Sequence, residues 1–335
     1  MPPETILLSH GSGGRRTHSL IRTLFLPRLN NPFLAEFSDS AVLPYKTPVA
    51  FSTDSFVVKP AIFPGGDIGT LCVSGTVNDL VVQGARPEYI SLAIVAEEGL
   101  AIGLLEKVVD AIARTARAAG VRVATGDFKV VERGSCDQLF ITTSGIGSLI
   151  GKKRLSVRSI RPHDEVIITG TIAEHGFAVL AARHDLQFGT TITSDCAPLN
   201  GLLIPLLSGR LKIRCMRDPT RGGLATTLKE IAEGSGRGIE IDERRIPVSA
   251  KIKAASEMLG IDPLYVACEG RAVVIVAPED EQRVLRLLRR HPLGRKAQTI
   301  GKVVAGARGE VVLTTVAGTH RLIDMLESDP LPRIC

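Results

Sequence analysis

The sequence predicts a mixed α/β protein with two domains, on three observations. Short apolar runs of strand length alternate with segments in which apolar residues recur at helical spacing. The order of these segments is uneven, which argues against a regular Rossmann winding. The chain of 335 residues is long enough for two domains of about 100–200 residues, each with its own core.

The N-terminal half predicts one long amphipathic helix followed by a strand. Between Leu104 and Ala116 apolar residues recur every three or four positions, with charged residues on the opposite face. Gly120 follows where a helix commonly ends in a left-handed residue. The apolar run at 121–125 then predicts a strand.

The C-terminal half predicts strands and helices in irregular alternation. Strands are expected at 166–169, 272–277 and 310–314, where aliphatic residues form short runs. Helices are expected at 224–233 and 279–290. This half therefore is predicted to be an α+β domain.

A basic segment between the two halves predicts the domain boundary. Five Lys and Arg residues lie between positions 152 and 161, after the apolar run that ends at Ile150. We interpret the segment as a solvated linker, because no aromatic residue accompanies the charges as a nucleic-acid patch would require. The predicted units are domains at 1–155 and 156–320 and a tail at 321–335.

The composition narrows the class of protein. Aromatic residues make up only 4% of the chain and the net charge is +6, which gives little support to a protein that stacks nucleic-acid bases. No apolar run reaches the roughly 18 residues of a membrane span. The first residues lack the pattern of a signal peptide. We therefore expect a cytoplasmic protein that binds neither nucleic acid nor membrane.

The cysteines divide into five that suggest packing and one that suggests chemistry. The six thiols include no CxxC pair and no zinc-finger spacing. Five resemble small apolar core residues. Cys335 ends the chain after a proline-containing stretch that resists helix formation, and Arg333 is expected to favour its thiolate. The tail is thus predicted to be a flexible tether for a reactive thiol, with an incidental surface thiol as the alternative.

Four aspartates of the N-terminal half stand in short polar or glycine-containing segments. They are Asp54, Asp67, Asp79 and Asp127. Mg²⁺ held against nucleotide phosphates prefers a few carboxylate oxygens together with phosphate oxygens, so these residues are candidate ligands. For each one alone, the alternative is a turn residue or a helix cap.

Two glycine-containing segments are candidate anion sites. In RDPTRGGL at 217–224, Gly222 and Gly223 precede a predicted helix and would let its backbone approach a phosphate, whose charge Arg221 would meet. A plain capped turn is the alternative. The segment HGSGGRR at 10–16 suggests either an anion-binding loop or a flexible terminus. No Walker A motif occurs.

Taken together, these motifs resemble the HypE family of hydrogenase maturation factors. The matching segments run in order along nearly the whole chain: HGSGG at 10–14, STDSFVV at 52–58, FPGGDIG at 63–69, GTVNDL at 75–80, GDFKVVERG at 126–134, RDPTRGGL at 217–224, DPLYVACEG at 262–270 and PRIC at 332–335. RDPTRGGL and the terminal cysteine are the most specific. The Gly-Asp segments are shared with the wider PurM-like superfamily, which includes aminoimidazole ribonucleotide synthetase and selenophosphate synthetase.

The resemblance implies a two-domain PurM-like fold and an activity. The sheet of the N-terminal α/β domain would join that of a second subunit in a homodimer, and the C-terminal α+β domain would complete an ATP cleft. The enzyme would be an ATP-dependent carbamoyl dehydratase that makes the cyanide ligands of NiFe-hydrogenase. A carbamoyltransferase partner, HypF, would load the terminal thiol, and the nitrile formed there would pass to iron on a HypC-HypD scaffold.

The resemblance also implies roles for single residues. Cys335 would carry the substrate and Glu269 would be the general base. Lys129 and Arg221 would offset charge on the transferred phosphoryl group. The implied ligands of Mg²⁺ and phosphate are Asp54, Asp79, Asp127 and Asp218. The other implied ATP-binding residues are Asp67, Gly126, Gly222 and Gly223.

Two positions depart from the family pattern. Phe128 stands where the family usually has a small polar residue, and Cys268 stands where it usually has Asn. A thiol cannot reproduce the paired donor and acceptor of an amide, so the orientation of the carboxamide or of Glu269 depends on other groups.

Two other functions remain as alternatives. The first is a sibling enzyme that makes a phosphorylated small molecule, of the selenophosphate synthetase or thiamine phosphate kinase type. A selenophosphate synthetase would need a cysteine near the N-terminus, whereas the first cysteine of this chain is Cys72. A thiamine phosphate kinase gives no reason for a terminal cysteine. The second is a non-catalytic scaffold or RNA-binding protein, which the low aromatic content disfavours.

Overall fold

The computed structural model describes most of the chain. The described residues are 5–7, 20–29, 45, 48–151, 155–186, 188–207, 209–306, 308–325, 331 and 333–335. The predicted anion loop at 10–16, residues 152–154 of the predicted linker, and residues 326–330 and 332 of the tail lie outside them.

The first sheet has four strands in the order β1-β6-β4-β5. They are β1 (Val49–Phe56), β4 (Ala85–Glu97), β5 (Arg122–Val131) and β6 (Leu139–Leu149). The pair β4–β5 is parallel, whereas β1–β6 and β4–β6 are antiparallel. A separate small ribbon pairs β2 (Ile62–Phe63) with β3 (Gly66–Asp67).

Helices cover one face of this sheet. They are α1 (Leu26–Leu29), which continues a π-helical turn at Ile21–Phe25, α2 (Ile68–Val82) and α3 (Ile102–Ala119). Helix α3 confirms the amphipathic helix expected at 104–116, and it ends at Gly120 in the left-handed region with φ of 69°. The strand expected at 121–125 is the start of the longer β5. Helix α2 is almost entirely buried.

The second sheet has seven strands in the order β13-β12-β9-β11-β7-β10-β8. They are β7 (Glu165–Ile168), β8 (Ile213–Arg217), β9 (Gly238–Asp242), β10 (Val273–Val276), β11 (Gln298–Val304), β12 (Val311–Thr314) and β13 (His320–Ile323). The pair β9–β12 is parallel and the other pairs are antiparallel. Strands β7, β10 and β12 confirm the three that the sequence predicts for this half.

Five helices accompany the second sheet in the described part of the chain. They are α4 (Glu174–His184), α5 (Asn200–Leu207), α6 (Gly223–Ser235), α7 (Ala250–Leu259) and α8 (Glu281–Arg290). Short 3-10 turns occur at Val157–Ser159, Glu243–Arg245, Pro263–Tyr265, Pro278–Asp280 and Pro292–Gly294. Helix α6 confirms the helix expected at 224–233, and α8 with the turn before it confirms the one expected at 279–290.

The core joins the two halves. One cluster of buried apolar residues extends from the first sheet, α2 and α3 into the second half. A second cluster lies under α5 and α8 and includes Val81 and Val82 at the end of α2. The prediction of a mixed α/β protein is confirmed. No helix among the described residues combines the length and apolarity that crossing a membrane would take.

Candidate active site

A cavity of about 760 Å³ is lined by six of the twelve site residues that the sequence singles out. Strand β1 contributes one wall and the C-terminal half of α2 contributes another. The segment from the end of β8 to the start of α6 faces them. Glu269 and Cys335 lie in the lining as well. The cavity therefore lies between the N-terminal sheet and the C-terminal domain.

Three aspartates meet in this cavity from distant parts of the chain. Asp54 is on β1, Asp79 is on α2 and Asp218 follows β8. The hydroxyl of Ser52, two residues before Asp54 on β1, donates to Asp79 Oδ2 at 2.6 Å. This bond ties the first sheet to α2 at the cavity wall.

The three carboxyl groups hold protons more strongly than free aspartate. Burial raises the pKa of Asp54, and the charge of Asp79 raises it further. Burial also raises the pKa of Asp79, although the Ser52 hydroxyl opposes the shift. The pKa of Asp218 rises to about 7, first through burial and then through the neighbouring charge of Asp79. The cluster is therefore a place where a cation would relieve repulsion.

Glu269 is a buried carboxyl at the same cavity. Its residue is only 3% exposed, and Oε1 has no hydrogen-bond partner among the described residues. Burial first, and then the charge of Asp218, raises the pKa of Glu269 well above its usual value. An unpartnered buried carboxyl with a raised pKa can act as a general base near neutral pH.

Two residues without a specific sequence signal hold the backbone at Glu269. The carboxylate of Asp195 accepts from the main-chain N–H groups of Glu269 and Gly270, at 3.3 and 3.2 Å. The amide of Asn78 donates to Glu269 O at 3.3 Å. A Cβ on Gly270 would lie 1.8 Å from Asp195 O, so this close approach requires glycine. The only sequence signal for Asn78 is its place beside Asp79 in the segment GTVNDL. No sequence motif indicates a role for Asp195.

The terminal thiol lies inside the cavity. Cys335 O accepts from Val57 N at 3.1 Å, which places the tail beside the end of β1. Burial, followed by the charge of Glu269, raises the pKa of the thiol to about 12. The group that opposes this shift is Arg221, which hydrogen-bonds the thiol. The expectation that Arg333 favours the thiolate is wrong, because its guanidinium bonds Asp137 and Val57 O instead.

The glycines before α6 shape the cavity wall. Gly222 and Gly223 adopt φ of 73° and 62°, in the left-handed region that favours glycine. A Cβ on Gly223 would lie 2.6 Å from Leu264 O. Arg221 and Thr227, on either side of this pair, line the cavity. The glycines thus bring the start of α6 to the site.

Asp67 does not line the cavity in the described structure. Its Oδ1 accepts from Thr70 N at 2.7 Å and so caps α2 at its N-terminus. This is the helix-cap alternative that the sequence leaves open.

Three expected residues lie on the far edge of the first sheet. Gly126, Asp127 and Lys129 belong to β5, while Asp54 belongs to β1 at the opposite edge. Asp127 aligns with Ala93, Thr142 and Ser55 across the sheet, a separation of about 14 Å at ordinary strand spacing. The side chains of Asp127 and Lys129 are 60% and 63% exposed and lie 3.4 Å apart. Within a single chain, Asp127 and Lys129 therefore lie away from the cavity.

The two departures from the family pattern are packed residues. Phe128 is buried and its ring lies 5.4 Å from that of Phe25, on the covered face of the sheet. Cys268 is fully buried, and its sulfur accepts from Ala173 N at 3.2 Å. Neither lines the cavity.

Mg²⁺ fits the carboxylates of the cavity. Asp54, Asp79 and Asp218 supply hard oxygen donors. In the described part of the chain, no group of three or more His, Cys, Asp or Glu side chains could hold a metal ion by itself. A cation here would take its remaining ligands from phosphate and water, as Mg²⁺ commonly does.

Family models match both halves of the chain. The model described as AIR synthase related protein, N-terminal domain, matches residues 37–149. The model described as AIR synthase related protein, C-terminal domain, matches residues 161–314.

Curated relatives match over nearly the full length. Carbamoyl dehydratase HypE of Cupriavidus necator is 44% identical over 330 residues, which cover 98% of this chain and 94% of that protein. Carbamoyl dehydratase HypE of Escherichia coli is 41% identical over 338 residues, which cover 99% of this chain and 100% of that protein.

Solved structures agree in fold. A crystal structure of hydrogenase maturation protein HypE in complex with ATP has a TM-score of 0.96 at 45% identity, covering 99% of this chain and 100% of that one. The HypE-HypF complex matches with a TM-score of 0.81 at 44% identity, covering 92% of this chain and 100% of that one. Thiamine-monophosphate kinase from Stenotrophomonas maltophilia, at 18% identity and a TM-score of 0.66, shares the fold.

Proposed function

The chain belongs to the HypE family of hydrogenase maturation proteins and is a carbamoyl dehydratase, and on that premise we propose that it acts on its own terminal thiol. A carboxamide carried by Cys335 would be dehydrated to a thiocyanate at the expense of ATP. The observation that carries the proposal is the position of Cys335, which lines the same cavity as Glu269 and the three aspartates. A sibling enzyme with a free small-molecule substrate would leave this thiol without a role.

The chain binds ATP, and we place the nucleotide in this cavity. Leu80, Val82, Leu149 and Leu155 line an apolar part of it, which suits a purine ring. The aspartates and Arg221 would face the phosphates, with the start of α6 beside them. Mg²⁺, when bound, would neutralise charge on the phosphates.

The carboxamide needs activation because its oxygen is a poor leaving group. Transfer of the terminal phosphoryl group of ATP to this oxygen would release ADP and give an imidate phosphate. The C–O bond then breaks as C≡N forms, and phosphate leaves with the former amide oxygen. The two nitrogen protons must be removed during these steps, so the reaction needs a base next to the thiol.

Glu269 is the carboxyl best suited to accept those protons. It is buried beside Cys335, and the charge of Glu269 contributes to the raised pKa of the thiol. Its Oε1, which has no partner in the described part of the chain, would receive a proton from the substrate nitrogen. Asp195 and Asn78 fix its main chain, which would keep the carboxyl directed at the substrate.

We also propose a homodimer in which Asp127 and Lys129 serve the partner's site. Helices cover one face of the first sheet. On the other face, Thr53 and Ser55 of β1 and Asp127 and Lys129 of β5 are exposed. A second copy packed on this face would carry its β5 residues towards the β1 cavity of the first.

The remaining proposed partners are those that membership of the HypE family implies. HypF would load the carbamoyl group, and a HypC-HypD scaffold carrying iron would accept the nitrile. All six cysteines are free thiols. A reducing cytoplasm would keep Cys335 in the form that can be loaded.

The test is carbamoylation of the full-length chain. Wild type and Cys335→Ala are incubated with the carbamoyltransferase, carbamoyl phosphate and ATP, and intact masses are measured. Wild type should first gain one carboxamide group and then lose water to give one cyano group. Cys335→Ala should gain neither.

Cys136→Ala is the matched control, because Cys136 is the other cysteine that is not fully buried. It should be modified like wild type. Equal modification of Cys335→Ala and wild type would reject the proposal.

A further inference from the structure

The tail is fastened outside the cavity by a group of four charged residues. We call Lys59, Asp137, Arg183 and Arg333 the tail clasp. Asp137 Oδ2 accepts from Arg333 Nη1 at 2.8 Å and pairs with Lys59 Nζ at 2.7 Å. Arg183 Nη2 donates to Arg333 O at 2.5 Å, and its Nε donates to Lys59 O at 2.9 Å.

The clasp sets the path of the last three residues. Arg333 adopts φ of 58°, in the left-handed region that is unfavourable for an L-residue, so the bend needs compensating contacts. Its Nε donates to Val57 O at 3.1 Å, and its guanidinium lies 5.7 Å from the centre of the Phe140 ring. The bend at Arg333 thus depends on side-chain contacts that begin at Asp137.

A buried histidine holds the next residue. His175 Nε2 lies 2.9 Å from Ile334 O, which can only accept, so this nitrogen carries the proton. Nδ1 then accepts from the Ser194 hydroxyl at 2.8 Å. Ile334 itself is only 3% exposed. Two successive contacts therefore hold the tail with Cys335 in the cavity: the tail clasp at Arg333 and the bond from His175 to Ile334 O.

The charges of the clasp do not balance. The clasp as defined contains three cations and one carboxylate, that of Asp137. Lys59 and Arg333 both pair with this carboxylate, whereas Arg183 donates to main-chain oxygens. Burial lowers the pKa of Arg183, and the positive charge of Arg333 lowers it further. Lys59 uses the same carboxylate oxygen as Arg333. If the tail left, Asp137 would keep Lys59 as its partner.

We propose that Asp137 is a positioning residue that holds the tail with Cys335 in the cavity, and that Lys59, which shares the Asp137 carboxylate with Arg333, keeps it paired when the tail is released. The proposal rests on the proposed function in taking the docked thiol as the reacting group. The second partner lowers the cost of undocking, because Lys59 leaves the Asp137 carboxylate paired in both states. The thiol must reach a loading enzyme outside the cavity and Glu269 inside it. The tail therefore needs docked and undocked states of similar free energy.

Alkylation of Cys335 in the full-length chain tests the proposal. The docked thiol is shielded and protonated, so iodoacetamide should react mainly with undocked tails. Labelling rates are read by peptide mass mapping, which separates Cys335 from Cys136. Asp137→Asn should speed labelling of Cys335 about tenfold, since it removes a charge-assisted bond from the docked state.

Lys59→Met should have the opposite effect. Without Lys59, undocking leaves Asp137 unpaired, so labelling should slow by about threefold or more. Damage to the fold cannot produce this result, because it would expose the thiol. The matched control is Glu132→Gln, which removes a negative charge from the same loop at an exposed residue; it should label like wild type.

The results can overturn the proposal separately from the dehydratase function. Wild-type rates in both Asp137→Asn and Lys59→Met would reject it, as would equal acceleration by Glu132→Gln. Labelling needs neither ATP nor a partner protein. If the labelling rates are as expected but nitrile never forms, the tail-clasp proposal stands and the proposed function is rejected. With the function intact, Asp137→Asn should slow dehydration without slowing carbamoyl loading.

Discussion

At the scale of single residues, the site depends on carboxyl groups whose pKa is raised by burial and by neighbouring charges. Asp54, Asp79 and Asp218 share one cavity with Glu269, and each raised pKa has burial as its largest cause. A cation bound at the three aspartates would relieve the repulsion between their carboxylates. Glu269 lies deeper, with an oxygen that no described group satisfies. The carboxyl group therefore serves two purposes according to its surroundings.

Glu269→Gln should stop the reaction at the carboxamide. The amide cannot accept the nitrogen protons, so nitrile formation should fall about a hundredfold or more, while carbamoyl loading of Cys335 continues. Intact mass measurement after addition of ATP distinguishes the two adducts. Glu132→Gln serves as the control for loss of one carboxylate. Normal nitrile formation by Glu269→Gln would reject this residue as the base.

The pH dependence of the same step follows from the direction of the pKa shift. Since the pKa of Glu269 is raised well above the ordinary value of 4.5, the base is protonated at mildly acidic pH. The rate of dehydration in wild type should therefore rise with pH as Glu269 loses its proton. The glutamine variant should lack this rise.

At the scale of elements, the entry to α6 decides the shape of the cavity wall. RDPTRGGL predicts a glycine turn before a helix, and the structure places Gly223 against the backbone of residues 264–266. This contact brings the segment before α6 next to the Glu269 segment, and Cys268 N donates to Pro219 O at 2.9 Å. The glycines are required by packing whether or not they approach a phosphate.

Gly223→Ala should destabilise the protein more than Gly236→Ala. Both glycines have positive φ, 62° and 64°, at opposite ends of α6. A Cβ at position 223 would lie 2.6 Å from Leu264 O, whereas no atom of the described residues lies within 4 Å of a Cβ at position 236. We expect losses of about 2–4 kcal/mol and about 1 kcal/mol in the free energy of unfolding, measured by urea denaturation. Equal losses would show that the close contact is unimportant.

At the scale of the whole molecule, the first sheet separates residues that the family motifs place in one site. Asp54 and Asp127 lie on opposite edge strands and on opposite faces. Phe51 on β1 is 68% exposed, which is unusual for a large apolar side chain. A second copy on the exposed face would cover apolar surface and supply Asp127 to the cavity.

Mixing two inactive variants tests this arrangement. Asp54→Asn and Asp127→Asn should each lose dehydration, because each lacks one carboxylate of every site. In a mixed dimer, one of the two sites has both aspartates, so an equal mixture should recover about one quarter of wild-type activity after subunit exchange. Activity is measured as nitrile formed per chain. No recovery in a mixture shown to contain mixed dimers would place Asp127 outside the partner's site.

The sequence by itself determined the fold class, the main helices and strands of each half, and the types of residue available for chemistry. These depend on hydrophobic periodicity, glycine positions and composition, which are local properties. The tertiary structure alone decided which of the candidates meet. Asp54, Asp79, Asp218, Glu269 and Cys335 converge because β1, α2 and the C-terminal domain enclose one cavity. Asp127 and Lys129 do not, because strand order carries β5 to the other edge. Asp67 caps a helix, and Arg333 holds the tail instead of the thiol. Strand order and burial arise from contacts between residues far apart in the chain, so no local pattern records them.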